Sequence, residues 1–167
     1  MTPPKTYCLD SNVLIQAWQT YYSPQICPEY WDVLNELGKQ RRIVLPEAVV
    51  EEITRTEDDL SLWLKSSNIP KLPKTEQVIQ YWKDIQAKDP LHKLLVDNIK
   101  QRSLADPWLI AHAIDERASV VTKENKKTAN STTRIRIPNV CENMGVPWMN
   151  DFQFIKELNI RFSCKFI

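Results

Sequence analysis

Asp10, Glu52, Asp106 and Glu124 are the side chains whose type and placement could do chemistry. Each follows an apolar, strand-like run or sits on the first turns of the helix beyond it, as in YCLDSNVLI, VLPEAVVEEI, SLADPWLIAHA and SVVTKEN. If those runs form one parallel sheet, the four carboxylates meet at its carboxyl edge, where open α/β sheets place their sites. Carboxylates gathered there repel one another, and a hard divalent cation held by oxygen ligands relieves the repulsion. The chemistry expected is metal-assisted hydrolysis of the kind a nuclease performs.

Each carboxylate also has a structural reading. Asp10 could be no more than a helix N-cap, although a cap needs one polar residue and three stand together here (Asp10, Ser11, Asn12). Asp106 followed by Pro107 reads as an N-cap and a first helical residue. It gains a site reading from the company of the other three. Glu51 and Glu52 are adjacent and cannot both face a site. With Val49, Val50 and Ile53 as the buried face, Glu52 lies roughly 105° and Glu51 roughly 155° from its centre. Glu52 is therefore the candidate, and Glu51 faces water. Glu124, among lysines after a strand, has a solvated loop position as its alternative.

The elements that must position these residues are legible in outline. Tyr7–Leu9, Ile43–Leu45, Ser119–Thr122 and Val146–Met149 read as strands. Helices are expected through Val13, Leu14, Ala17 and Trp18, over Tyr30–Lys39 with Gly38 as its C-cap, and from Pro46 as a first helical residue. Further helices are expected over Asp106–Arg117, Pro138–Met144 and Asp151–Leu158, and residues 123–133 read as a loop. Residues 57–103 read as helical throughout, broken only by an IPKLPK connector, and are expected to pack the core and form a flap over one edge. Strand–helix alternation of this kind predicts a three-layer α/β/α sandwich with a mainly parallel central sheet. The 167 residues fit one domain, 1–167, with the helical insertion around 57–103.

Composition narrows the function classes. Only two glycines, Gly38 and Gly145, are present, so neither a Walker A loop nor a G-x-G-x-x-G turn can be built. The four cysteines are scattered without a C-x-x-C pair, which argues for reduced thiols and against a zinc site. No apolar run approaches the ~20 residues of a membrane span, and MTPPKTYCLD shows no secretory pattern, so a cytoplasmic location and no membrane partner are expected. A net charge of +1 gives no general case for a nucleic-acid partner. Local clustering does more: Lys123, Lys126, Lys127, Arg134 and Arg136 surround Glu124 and could hold phosphates. His92 and His112 do not read as a general-base pair, and no strained nucleophile turn is available for serine hydrolase chemistry.

The motifs D-S-N-V-L-I at Asp10, P-x-x-V-x-x-E-I from Pro46 to Ile53, A-D-x-x-L-I-A-x-A from Ala105 to Ala113 and V-V-T-x-E from Val120 to Glu124 occur in order. In that order and spacing, over about the first 125 residues, the chain resembles the PIN-domain ribonucleases, including the toxins of VapBC-type toxin–antitoxin pairs. It departs from them where the family carries an aspartate two residues after the threonine; here Glu124 stands there. The stretch before Asp106 is also longer than in the smallest toxins.

The resemblance implies a metal-dependent endoribonuclease holding one or two Mg²⁺ or Mn²⁺ ions. Asp10 and Asp106 would be the direct ligands, with Glu52 and Glu124 ligating or fixing metal waters. Ser11, Asn12 and Thr122 would hydrogen-bond behind them, and Lys123, Lys126, Lys127 and Arg134 would lie along the RNA backbone. It further implies an antitoxin partner and homodimer formation. Three readings stand beside it: a catalytically silent binding module, a PIN nuclease of RNA processing or DNA repair without an antitoxin, and a phosphotransfer domain. The last wants an aspartate pair or D-x-D where this chain has Asp10-Ser11-Asn12.

Overall fold

Five short strands, β1 (Tyr7–Leu9), β2 (Ile43–Pro46), β3 (Lys71–Leu72), β4 (Ser119–Val121) and β5 (Trp148–Met149), form one sheet in the order β3-β2-β1-β4-β5. Every pairing is parallel. The computed structural model describes residues 2–128 and 134–167, so positions 129–133 of the loop expected over 123–133 lie outside the described residues. β1, β2 and β4 are buried along their whole length, as strands covered on both faces must be. Alternation in β1 shows the two covers. The Tyr7 ring packs edge-on against Phe154 of α8 (Asp151–Glu157), with centroids 5.1 Å apart, while the Cys8 thiol donates to the Leu109 carbonyl of α6 (Asp106–Asp115).

This order makes the sheet doubly wound. From β1 the chain passes through α1 (Ser11–Gln19) and α2 (Pro28–Lys39) to β2, then through α3 (Glu47–Thr54) and α4 (Asp59–Ser66) to β3. It returns through α5 (Glu76–Lys88), a 3₁₀ turn at Pro90–Leu95 and α6 to β4 on the other side of β1, and continues through α7 (Ile137–Met144) to β5. The chain therefore leaves β1 and β4 in opposite directions, and the crevice beyond their carboxyl ends is the topological switch point.

Several local expectations need correcting. The region 57–103 is not helical throughout: the proline-flanked Lys71–Leu72 is a strand, with the Pro70 carbonyl accepting from the Leu45 N–H at 3.0 Å. Gly38 is not a cap but a buried residue inside α2, where an added Cβ would come within 2.7 Å of the Ile69 backbone. Only glycine permits that approach. Pro46 ends β2 and caps α3 rather than opening it. Asp106 is the first residue of α6, one position later than a cap. The insertion is tied down by proper caps, Asp58 accepting from the Ser61 N–H and Thr75 from the Val78 N–H. α5 packs along α6, the helix that carries Asp106. Among the described residues no helix is long and apolar enough to cross a membrane.

Candidate active site at the carboxyl ends of β1 and β4

Asp10 occupies the position before α1, yet its side chain makes no capping bond. Instead Asp10 Oδ2 accepts a hydrogen bond of 2.8 Å from the Thr122 hydroxyl, which stands just beyond β4 across the switch point. A cap alone does not explain Asp10. Burial pushes its carboxyl up to about 7; Thr122 opposes the rise, and the negative fields of Glu124 and Glu52 add to it. Asp106 is only 6% exposed. Burial and the fields of Asp10, Glu124 and Glu52 hold it well above the ordinary carboxylate range, against a hydrogen bond from Ser103. The fields of Glu52 and Glu124 thus reach both buried aspartates, though the four carboxylates come from four separate places in the chain.

The remaining candidates fall into distinct roles. Glu52 is half-buried, with Oε2 sealed from solvent and without a hydrogen-bond partner among the described residues. Burial raises its pKa, opposed by the Ser11 hydroxyl and the Arg55 charge. Glu51 is exposed. Ser11 therefore supports Glu52, and Thr122 supports Asp10. Asn12 holds backbone: its Oδ1 accepts from the Lys123 N–H at 3.2 Å and pins the turn after β4. Thr122 Oγ1 also accepts from the Glu124 N–H at 3.1 Å, while Glu124 Oε2 accepts from the Ile137 N–H at 3.0 Å. One oxygen of Glu124 is thereby committed to the first turn of α7, where the helix dipole favours a negative charge.

The lysines after β4 do not form a free cationic strip. Lys123 Nζ pairs with Asp151 Oδ2 at 3.0 Å, contacts the Tyr21 hydroxyl, and lies over the Tyr21 and Phe152 rings. Burial lowers the pKa of this ammonium, but the Tyr21 and Asp151 hydrogen bonds outweigh it and leave it raised. Lys126 pairs with Glu142 at 2.5 Å. The Lys127 N–H donates to Asn139 Oδ1. Arg134 lines a recess of about 270 Å³ with Arg102 and Ser103.

Other cations border the carboxylates instead. A cleft of about 510 Å³ is lined by Glu51 and Glu52, by the cations Arg55, Lys74 and Arg102, and by Ala105 and Trp108. Asp10 and Asp106 are not among its lining residues, so it runs beside the switch point and shares Glu52 with it. These three cations come from the C-cap of α3, the segment before α5 and the turn before α6, too far apart in sequence to read as a cluster. That turn carries Gln101 and Ser103 in left-handed conformations, φ 52° and 57°, which cost energy for residues with a Cβ.

Among the described residues, no group of three or more His, Cys, Asp or Glu side chains is gathered as a ready-made metal cage. The donor chemistry nevertheless suits a hard cation: the donors are carboxylate oxygens only, the two aspartates are opposed by their acidic neighbours, and Glu52 Oε2 is a buried acceptor without a partner among the described residues.

A family described as a domain of unknown function, DUF4411, matches residues 7–162. No curated protein matches the chain by sequence. Two solved structures are similar in fold. VapBC2 from Rickettsia felis, bound to a DNA fragment from their promoter, superposes with a TM-score of 0.57 at 17% identity, covering 87% of this chain and 98% of that one. FitAcB from Neisseria gonorrhoeae gives 0.54 at 17% identity, covering 88% and 99%. At such identity the likeness establishes a shared PIN-like fold.

Proposed function

The chain belongs to the DUF4411 family, and we propose that within it this protein is a divalent-metal-dependent endoribonuclease, the toxin half of a toxin–antitoxin pair. The observation that carries the reading is the convergence of Asp10, Glu52, Asp106 and Glu124 on the switch point of a PIN-like sheet, where Glu52 and Glu124 raise the cost of ionising both aspartates. Buried carboxylates shifted by acidic neighbours in a crevice are characteristic of functional sites.

Asp10 and Asp106 are the residues proposed to hold Mg²⁺ or Mn²⁺, with Glu52 and Glu124 on its water shell, since Mg²⁺ keeps most of its waters and needs few protein ligands. Such an ion supplies charge neutralisation at the phosphate and activation of water for in-line attack. The side chains do the positioning. Thr122 fixes the rotamer of Asp10, Ser11 steadies Glu52, and the hydrogen bond to α7 leaves Glu124 one oxygen for a water. Arg55, Lys74 and Arg102 are proposed to meet the RNA backbone beside the carboxylates. Of the lysines after β4, Lys127 remains a candidate for the same work and Lys123 is the weakest. The resemblance to VapBC toxins supports an antitoxin that obstructs the crevice, and allows a homodimer.

A binding module without catalysis is the second reading, favoured by the commitment of Glu124 to the α7 backbone. Cleavage of end-labelled total RNA in Mn²⁺, in Mg²⁺ and in EDTA, beside Asp10→Asn, decides between them. The nuclease reading expects fragments that need the metal and are lost in the variant by at least about 100-fold, as when electrostatic stabilisation of a transition state is removed. Folded protein that cuts nothing in either metal would leave the binding module.

A further inference from the structure

Beyond Trp108 lies a second cleft, of about 760 Å³, that the carboxylate chemistry does not use. Trp82 of α5 and Trp108 of α6 stack along its wall with ring centroids 5.4 Å apart and planes within 16° of parallel. Lys83 and Lys93 stand at its rim; neither is in an ion pair among the described residues, and no carboxylate lines the cleft. Leu104 and Trp108 line both this cleft and the one that holds Glu52, so the two adjoin through a shared wall. The Lys74 ammonium lies 4.5 Å from the Trp108 ring centroid, which puts a cation at that wall.

We propose that this cleft receives an unstacked nucleobase of the RNA strand whose backbone crosses the carboxylates, an inference that rests on the nuclease reading. The chemistry is complementary on each count. Aromatic side chains bind any base through a π-face. The stacked pair of Trp82 and Trp108 puts aromatic surface on the lining, with Trp82 as the ring that Lys74 does not cover. Gln86 and Asn98 offer amide donors and acceptors to a base edge. Unpaired lysines at the rim match the phosphates on either side of that base. The volume falls within the ~300–1,000 Å³ of small-ligand sites. A strand so held enters from the insertion side, past Lys83 and Lys93, and reaches the carboxylates by way of Lys74 and Arg102. The helical insertion is then a specificity element, since single-stranded RNA is read from splayed bases.

The test is equilibrium binding of a labelled oligouridylate of about twelve nucleotides, in EDTA so that nothing is cut. The same strand carrying one abasic site, placed at each position in turn, is run beside it. One position should be sensitive in the wild-type protein, losing about tenfold in affinity when its base is absent. Trp82→Ala should lose a similar factor and no longer distinguish the abasic strand. Trp82→Phe, which keeps an aromatic face and guards against misfolding of the alanine variant, should retain the distinction. Wild-type protein that binds intact and abasic strands alike overturns the proposal and leaves the cleft to an apolar segment of a protein partner. Metal-dependent cleavage is measured separately on the same preparations. Cleavage without base sensitivity removes the pocket and keeps the nuclease; base-sensitive binding without cleavage keeps the pocket and removes the nuclease.

Discussion

The two flanks of the carboxylate crevice differ in what their cations do. On the β4 flank, Lys123 and Lys126 are held by Asp151 and Glu142 within the fold, which leaves Lys127 and Arg136 outside any ion pair among the described residues. On the insertion flank, Lys74, Lys83, Lys93 and Arg102 enter no ion pair among the described residues and line open clefts. Sequence density favours the first flank and available charge favours the second. A lysine cluster is a prediction about composition; whether it can meet a phosphate depends on carboxylates elsewhere in the chain.

The largest effect that would sharpen this contrast is at Lys123. Its side chain is 16% exposed and that of Asp151 3%, so Lys123→Met strands a buried carboxylate and should cost about 3–5 kcal/mol of stability. Asp151→Asn in the same chain should recover most of it, as read by denaturant midpoints. A loss of RNA affinity at unchanged stability would reverse the assignment of the two flanks.

Next is the pH dependence of the crevice between them. The Asp10 carboxyl titrates near 7 when folded and near 3.8 ordinarily. Between those values the folded protein holds a proton that the unfolded chain has released. Stability contributed by the protonated form is therefore present at low pH and lost as pH rises towards 7. Asp106 shifts in the same direction. Metal-free protein should melt lower at pH 8 than at pH 5, and Asp10→Asn should flatten that slope. A midpoint that climbs with pH would mean the carboxylates are not in conflict.

A smaller effect is expected of the double variant Lys74→Ala, Arg102→Ala. It should weaken oligonucleotide binding about tenfold and reduce the salt slope by roughly 1.4, two contacts at ~0.7 each for single strands. The smallest is Lys126→Ala. With its partners 48% and 42% exposed, this solvent-screened pair should contribute little to stability, and RNA affinity should not move. An equal loss of affinity in these two variants would erase the difference between the flanks.

Much of the fold was legible because both of its periods are strong. Continuous apolar runs marked β1, β2 and β4, and helical spacing separated Glu52 from Glu51 on one short helix. What escaped depends on contacts across the chain. β3 is two residues between prolines, and only its pairing with Leu45 and Pro46 makes it a strand. Gly38 resembles a helix terminator until Ile69 is seen pressed against it. In the crevice, the order of the acidic residues was readable, whereas the hydrogen bond from Thr122 to Asp10 spans 112 positions. The capture of Lys123 by Asp151, the grouping of Arg55, Lys74 and Arg102, and the stacking of Trp82 on Trp108 likewise leave no local signal.

The most direct test of the central claim is thermal unfolding at pH 8 with and without Mn²⁺, for the wild-type chain and for Asp10→Asn. If the crevice is a set of carboxylates in conflict that a divalent cation relieves, the metal-free variant melts above metal-free wild type, by roughly 2–4 °C for each kcal/mol of repulsion removed. Mn²⁺ then raises the wild-type midpoint, by the equivalent of about 2.7 kcal/mol at one hundred times its dissociation constant, and leaves the variant nearly unmoved. Wild-type protein that ignores Mn²⁺, or a variant that gains as much from it, would contradict the assignment of these four residues to a metal.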